Sequence, residues 1–546
     1  MSSQVGFSRI AAAGVVLFVI LVYATSDGTV PVLPDEVGYL AIAKYLATGE
    51  ALNLSTLANY SFGHAVLLTP AFWVTSDVAT VYRIGVVVSC LATAMVPVVL
   101  IGIAEKIGQP RSLFLVACSF LVAVFPAYSY HNAVVWSDAT FRLAFLLTVF
   151  AFTSAWVAGR PWRWVLFGAM VIILYAIHPR ALGIVPVAFV ALVVARAMQK
   201  ATWTEVGASA AAMLLLWFGV DAANNHFEIA IWGRDLSQSG RIAGFLQALM
   251  TPYGFKSAVA VSIGQLWSLI ASSLGFFVVG LLACWQMVQS RPAVRPMILF
   301  SVAAMLAITA ASVMQMMTPG RIDHVIYGRY VDGASTVIVW LGLVWLGQRE
   351  KQASAIVLVI GSVLVTAVIV LKPFIHAPLA PVVAPTISGL LWVDFTGPGI
   401  HLAPLLTIIA MGSLMAVAVS SSSLALSSRP WTALAVVAVA VIGASSCALL
   451  SAKRAHTVRA NYVKATAAIY AKANGRPIHW DVSDAGDGET TIDQFSAASE
   501  TMPPSDIAAT DIPIGDAAVV PDGFQKAGYS LLGDLPNATK LIVRSQ

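Results

Sequence analysis

Apolar runs about as long as a bilayer core is thick alternate with polar breaks from residue 9 to residue 450. A helix needs about 20 mainly apolar residues to cross the hydrocarbon. That rule predicts thirteen spans, at 9–26, 80–103, 112–129, 140–158, 163–178, 181–197, 205–221, 258–288, 296–317, 331–347, 353–371, 401–421 and 431–450. The breaks between them are of two kinds, and they alternate. One set is short and basic, with Arg9, Lys106 and Arg111, Arg160 and Arg163, Arg196 and Lys200, Arg291 and Arg295, Arg349 and Lys351, and Arg429. The other set comprises 27–79, 130–139, 178–180, 222–257, 318–330, 372–400 and everything after 450, where acids, histidines, tyrosines and prolines gather. Lys and Arg mark cytoplasmic loops. The pattern therefore predicts a cytoplasmic amino terminus, an extracytoplasmic carboxyl terminus, and chemistry on the extracytoplasmic face of a cell (plasma or inner) membrane.

Composition agrees with the pattern. Hydrophobic residues make up 59% of the chain and charged residues 10%, against about 25% charged in a soluble domain. This excludes a soluble globular protein. The net charge of +5 lies mostly in the short loops and gives no reason to expect nucleic acid. Cys90, Cys118, Cys284 and Cys447 fall inside apolar runs, without zinc spacing, and read as small packing residues. The run from Ile10 to Tyr23 after Arg9 reads as an uncleaved first helix rather than a signal peptide.

The expected fold class is an all-α polytopic membrane protein with a small C-terminal extracytoplasmic α/β domain. The expected domains are 1–450, in the membrane, and 451–546, outside it. In the tail, 457–473 reads as a helix, and 478–482, 517–520 and 540–544 as short strands. In the first outer loop (27–79), Glu36 to Ala47 reads as an amphipathic helix along the interface, with Pro34 at its start. The acidic stretch from Asp481 to Glu489 lacks calcium-loop spacing and reads as a solvated turn.

Charge at a membrane lip is scarce, so the polar residues there are the candidates for chemistry. Asp35 and Glu36 sit side by side just after the first span. Neighbours on a helix point about 100° apart, so one acid would act as base and the other as a supporting or metal-binding group. Both are also good residues for a first helical turn, where the dipole favours them by about 0.3–1 kcal/mol. Val135-Trp136-Ser137-Asp138 puts another acid at the outer lip, with Arg142 placed to pair with it along a helix. Tyr130 and His131 are close by. His178-Pro179-Arg180 turns one span into the next. Arg180 there is suited to a departing phosphate, or to snorkelling toward headgroups. The loop from Arg321 to Tyr330 holds Asp323, His324, Tyr327, Gly328 and Arg329. Its arginines suit phosphate and its tyrosines suit a sugar, although an aromatic interface belt has the same composition.

A first outer loop that opens with Asp35-Glu36, followed by Tyr39 and an interface helix, resembles that of the GT-C superfamily of integral-membrane glycosyltransferases. The Tyr327-Gly328-Arg329-Tyr330 stretch also looks like one found in bacterial members. The resemblance implies an inverting transferase that uses a polyprenyl-phosphate sugar donor, with Asp35 as general base and Glu36 beside it as the catalytic pair. Tyr39, His131, Asp138, His178, Arg180, Arg321, Tyr327, Arg329 and Tyr330 would then bind substrate. A divalent cation held by Asp35, Glu36 and Asp138 is compatible with the family, some members of which use one. The acceptor would be a glycan, lipid or protein. The Ala/Val-rich chain with an outer tail is similar to actinobacterial cell-wall arabinosyl- and mannosyltransferases, which leans the sugar toward arabinofuranose and the process toward cell-wall biogenesis. The alternatives are a transporter, a lipid-linked-glycan flippase or ligase, and an assembly subunit. One-sided acids and charge-free span interiors favour the enzyme over a transporter, which places charge near the midplane.

Overall fold

The computed structural model describes residues 34–51, 60–158, 160–233, 238–317, 324–345 and 430–476, with shorter pieces mainly in 382–400 and 478–545. The expected spans 9–26, 353–371 and 401–421 lie outside the described residues. The helices in order are α1 (Pro34–Thr48), α2 (Phe62–Val74), α3 (Val78–Lys106), α4 (Leu113–Ala123), α5 (Pro126–Ser129), α6 (Ser137–Ala158), α7 (Pro161–Ile177), α8 (Ile184–Ala197), α9 (Trp203–Trp232), α10 (Gln238–Leu249), α11 (Pro252–Ser272), α12 (Phe276–Ser290), α13 (Arg295–Met316), α14 (Arg329–Trp345) and α15 (Pro430–Tyr470). Among the described residues seven helices are long and apolar enough to cross a membrane, or eight if α4 and the segment 126–132, which meet at 54°, form one span. Helices α2, α7 and α12 are shorter apolar helices. The protein is thus a multi-pass membrane protein. The thirteen expected spans exceed what the described residues hold.

Short polar residues start the apolar helices. Asp77 accepts from the Thr80 N–H at 2.9 Å, and Ser112 from the Leu115 N–H at 3.1 Å. Thr202 and Glu205 form a reciprocal capping box at the head of α9. Each cap satisfies amide donors that a helix start leaves open.

The structure differs from the sequence pattern at four places. The expected single span 258–288 is two helices, α11 and α12. Leu274 and Gly275 take positive φ values of 52° and 81°, and the Gly275 N–H bonds back to Ile270 O at 2.8 Å, a left-handed helix ending that hydropathy does not register. The loop 222–257 is mostly helical, because α9 runs on to Trp232 and α10 follows. The helix α1 forms where expected, but Val37 through Ala43 are all buried. That half is enclosed by protein on every side, while Lys44, Tyr45 and Ala47 are half-buried and Leu46 and Thr48 exposed, so exposure is confined to the last turn and does not run along one face as in an interfacial helix. Finally, the 450/451 boundary falls inside α15, which runs for 41 residues. At 1.5 Å per residue that is roughly 60 Å, about twice the hydrocarbon thickness.

Beyond α15 lies a five-stranded sheet of order β4-β3-β5-β7-β6, with β3 (Ile478–Asp481), β4 (Ser505–Ile507), β5 (Ala517–Pro521), β6 (Tyr529–Leu535) and β7 (Thr539–Arg544). Strand β3 runs parallel to β4 and β5, while β7 is antiparallel to β5 and β6. Alternate residues serve the two faces. Ala517, Val519 and Leu541 pack with Ala473, and Ala518, Val520 and Ile542 pack with Ile512. A separate two-residue pair joins β1 (Val382–Val383) to β2 (Gly399–Ile400).

One apolar core joins α3, α4, α6, α7 and α12 to α14. Helices α12 and α14 approach to backbone contact. A Cβ on Gly280 would lie 2.0 Å from Ile338 O, and one on Gly342 2.6 Å from Phe276 O. Small residues permit such close approach where lipid supplies no hydrophobic drive. The consequence for function is positional. The starts of α1, α6 and α14 and the end of α7 meet at one end of the bundle.

Candidate functional site

Four charged side chains from those four helix ends form a continuous line. Asp35 is the second residue of α1. Its Oδ2 accepts from Arg329 Nη1 at 2.6 Å. Arg329 opens α14, and its Nε donates to Asp138 Oδ2 at 2.8 Å. Asp138, in the first turn of α6, accepts on Oδ1 from Arg180 Nη2 at 2.8 Å. Arg180 sits in the 3-10 turn Pro179–Gly183 between α7 and α8. The Asp138, Arg180 and Arg329 side chains are at most 4% exposed, whereas that of Asp35 is 27% exposed. Asp35 is therefore the end of the line that meets solvent.

Aromatic side chains wall the line. The Arg329 guanidinium lies 3.7 Å from the centre of the Trp136 ring. That of Arg180 lies 4.0 Å from Phe141 and 5.0 Å from Tyr330. Such faces favour a cation kept from water. His178 caps α7, accepts from the Arg180 backbone N–H at 3.2 Å, and stands 5.2 Å from the Tyr330 ring. Tyr327 packs on Tyr330 at 4.6 Å, and His131 lies 5.8 Å from Trp136. Tyr39 meets Ser137 Oγ at 2.8 Å, next to Asp138.

The Asp35 oxygen not held by Arg329 accepts from the Tyr60 hydroxyl at 2.9 Å. Burial, and then the adjacent Asp35 carboxylate, push the Tyr60 phenol well above its ordinary range, so it remains a donor. Tyr60 reaches Asp35 because it crosses α1 at Gly38, where a Cβ would meet its ring at 2.0 Å.

Glu36 has a different setting. It is fully buried, and its Oε1 accepts from the Tyr82 hydroxyl at 2.6 Å and from the Val135 N–H at 2.8 Å. It ties the head of α1 to α3 and to the segment that leads into Asp138. The convergence of Asp35, Glu36 and Asp138 that would allow a cation does not form, since Glu36 turns to Tyr82 and Val135. Among the described residues no three His, Cys, Asp or Glu side chains gather as a metal site requires. Asp35 and Asp138 meet through a guanidinium instead, so the described side chains are not gathered as a divalent ion would need. The expected Asp138–Arg142 pair is not formed either. Arg142 reaches away to Thr93 Oγ1 at 2.8 Å and lies 4.2 Å over Tyr128.

Of the residues singled out in the sequence, Asp35, Tyr39, His131, Asp138, His178, Arg180, Tyr327, Arg329 and Tyr330 are thus brought into one neighbourhood, and Glu36 braces it. Arg321 lies outside the described residues. Sequence reasoning missed Tyr60, Trp136, Ser137 and Phe141 as parts of the site. Trp136 and Ser137 adjoin Asp138 in the chain, but their part is set by the return of Arg329 from a distant helix.

Two Arg180 donors, on Nε and Nη1, are buried without a hydrogen-bond partner among the described residues. Unspent guanidinium donors beside a filled carboxylate are what an anion can complete.

The whole chain superposes on ArnT from Cupriavidus metallidurans in the apo state with a TM-score of 0.54 at 14% identity, covering 99% of this chain and 98% of that one. ArnT bound to undecaprenyl phosphate gives 0.53 at 14% identity, covering 98% of both chains. The Archaeoglobus fulgidus oligosaccharyltransferase aligns at 0.44 and 11% identity, with 92% of this chain and 60% of that one covered. No protein-family model and no curated protein sequence matches the chain. The fold is that of the two ArnT structures, and it is a fold of the kind the first-loop resemblance implied.

Proposed function

We propose that the protein transfers a sugar from a polyprenyl-phosphate donor to an acceptor hydroxyl, with inversion, at the Asp35–Arg329–Asp138–Arg180 line. The single observation that carries this is the pair of buried Arg180 donors, unpartnered among the described residues, next to two carboxylates that are already matched by guanidinium groups. The likeness to ArnT, a structure of which contains undecaprenyl phosphate, supports a lipid phosphate as the anion.

In this reading the donor phosphate engages Arg180 and Arg329 while the lipid tail stays in the bilayer. The acceptor arrives at the solvent-exposed end, where Asp35 lies. As the acceptor oxygen bonds to the anomeric carbon, Asp35 takes its proton. The carbon–oxygen bond to phosphate breaks, and the phosphate keeps the electron pair. The two arginines offset the charge that grows there. A positioned base contributes about 10²–10⁴-fold; alignment of donor and acceptor supplies further acceleration. Tyr60 fixes the Asp35 carboxylate by its second oxygen, Asp138 aims both arginines, and Glu36 supports Asp35 rather than reacting. Tyr327, Tyr330, His131 and His178 form the wall, and Arg321 joins the substrate-binding set on sequence grounds. The orientation that goes with this reading has the site and the carboxyl terminus outside a cell membrane and the amino terminus inside, as the basic loops indicate.

The test is transfer by the purified protein in liposomes supplied with a small panel of radiolabelled polyprenyl-phosphate sugars, arabinofuranose first. Donor-dependent labelling of an acceptor supports the reading. Movement of solute or lipid across the bilayer with no donor consumed would replace it with a transporter.

A further inference from the structure

The structure assigns a positioning role to His456, on the C-terminal helix α15, in holding the segment 133–138 that carries Trp136 and Asp138. The inference rests on the reading of the Asp35–Arg180 line as a lipid-phosphate site. His456 is 1% exposed, and its Nε2 lies 2.9 Å from Ala133 O. A carbonyl only accepts, so Nε2 carries the proton and donates. The Nδ1 on the other side is buried without a hydrogen-bond partner among the described residues. The imidazole also stands edge-on to Tyr82, with ring centres 5.8 Å apart.

These two contacts lead to the site by separate routes. Through Ala133, His456 fixes the start of a segment whose next residues are all committed. Val135 N–H donates to Glu36, Trp136 lies under Arg329, Ser137 meets Tyr39 and Asp138 holds both arginines. Through Tyr82, His456 packs on the ring whose hydroxyl donates to Glu36, next in the chain to Asp35. The apolar surface of α15 follows the same course, since Ala448 and Ala452 pack with Tyr130, Ala133, Val134 and Trp136. Helix α15 is also the element that carries the tail sheet, because it runs directly into the 3-10 turn Ala471–Ala473 that packs on it. A group far along the sequence is therefore built into the support of the phosphate site, and the tail has a mechanical route to it.

The test compares His456→Phe, which keeps a ring against Tyr82 but removes the donor, with His456→Gln, which keeps an N–H. Two readouts are taken on the full-length protein in detergent: amide exchange by peptide, and the dissociation constant for undecaprenyl phosphate. The expected result for His456→Phe is faster exchange confined to 130–138 and 35–40 and binding weakened roughly tenfold, as loss of one buried hydrogen bond implies. Most of both effects should be restored in His456→Gln. Wild-type exchange and binding in His456→Phe would overturn the inference. So would exchange raised evenly over all helices in both variants, which marks a general packing defect. Failure of the wild-type protein to bind undecaprenyl phosphate at all would overturn the phosphate reading instead, while the exchange at 130–138 alone still decides whether His456 positions the segment.

Discussion

At the scale of residues, Arg329 is the hinge of the site, because it serves two carboxylates with different atoms of one guanidinium. A lysine has the charge but not the planar fork. Arg329→Lys is expected to weaken donor binding about tenfold or more with little change in acceptor KM, measured by initial rates at varied donor. Asp138 is filled by two buried cations. Asp138→Asn leaves both only partly matched, and loss of a buried ionic partner costs about 3–5 kcal/mol, read as lowered thermal stability in detergent. The four charged residues of the line were legible in the sequence because charge is rare at the ends of apolar helices and needs a reason there. The separate settings of Asp35 and Glu36 were not legible in the two residues themselves; only the family resemblance singled out Asp35. Adjacent acids look alike in a sequence, and what distinguishes them is that Tyr82 and Val135 close over one while Tyr60 and solvent share the other. Tyr60 and His456 were invisible for a related reason: their partners come from distant parts of the chain.

At the scale of elements, glycines set how closely the helices that carry the site can approach. Gly38 lets Tyr60 lie across α1 onto Asp35, and a Cβ there would sit 2.0 Å from the ring. Gly38→Ala is expected to displace Tyr60 and reduce transfer more than it reduces stability, measured by kcat beside a thermal melt. Gly280→Val acts elsewhere. It forces α12 from the Ile338 carbonyl and should destabilise the bundle by about 1–3 kcal/mol, leaving donor affinity intact in whatever fraction folds. Hydropathy found most of these helices because it counts apolar length. It could not find the break at Leu274–Gly275, which is a backbone conformation inside an apolar run. Nor could it show that the first half of α1 is enclosed, since its apolar positions fit an interface as well as an interior.

At the scale of the whole molecule, the site is one-sided. The charged line gathers where α1, α6 and α14 begin, while Lys106, Arg160, Arg196 and Arg291 lie at the opposite ends of helices that run about 20–45 Å at 1.5 Å per residue. If the basic ends face the cytoplasm, a cysteine at the exposed Glu50, just after α1, reacts with a membrane-impermeant maleimide in intact cells, and one at the exposed Lys200 does not. The native cysteines Cys90, Cys118 and Cys284 are buried, and Cys447, which is partly exposed, is replaced by serine to keep the background low. The reverse labelling pattern would invert the protein and place its chemistry inside.

The most direct measurement is single-turnover transfer by Asp35→Asn beside the wild-type protein, with binding of the polyprenyl-phosphate donor determined on the same preparations. Asparagine keeps the shape at position 35 and can still meet Tyr60, but it cannot take a proton. The variant is expected to insert, melt and bind donor nearly as the wild type does, and to transfer sugar at least about 100-fold more slowly, within the range a general base supplies. Turnover near the wild-type rate, with donor bound, would contradict Asp35 as the base and with it the central reading of the site.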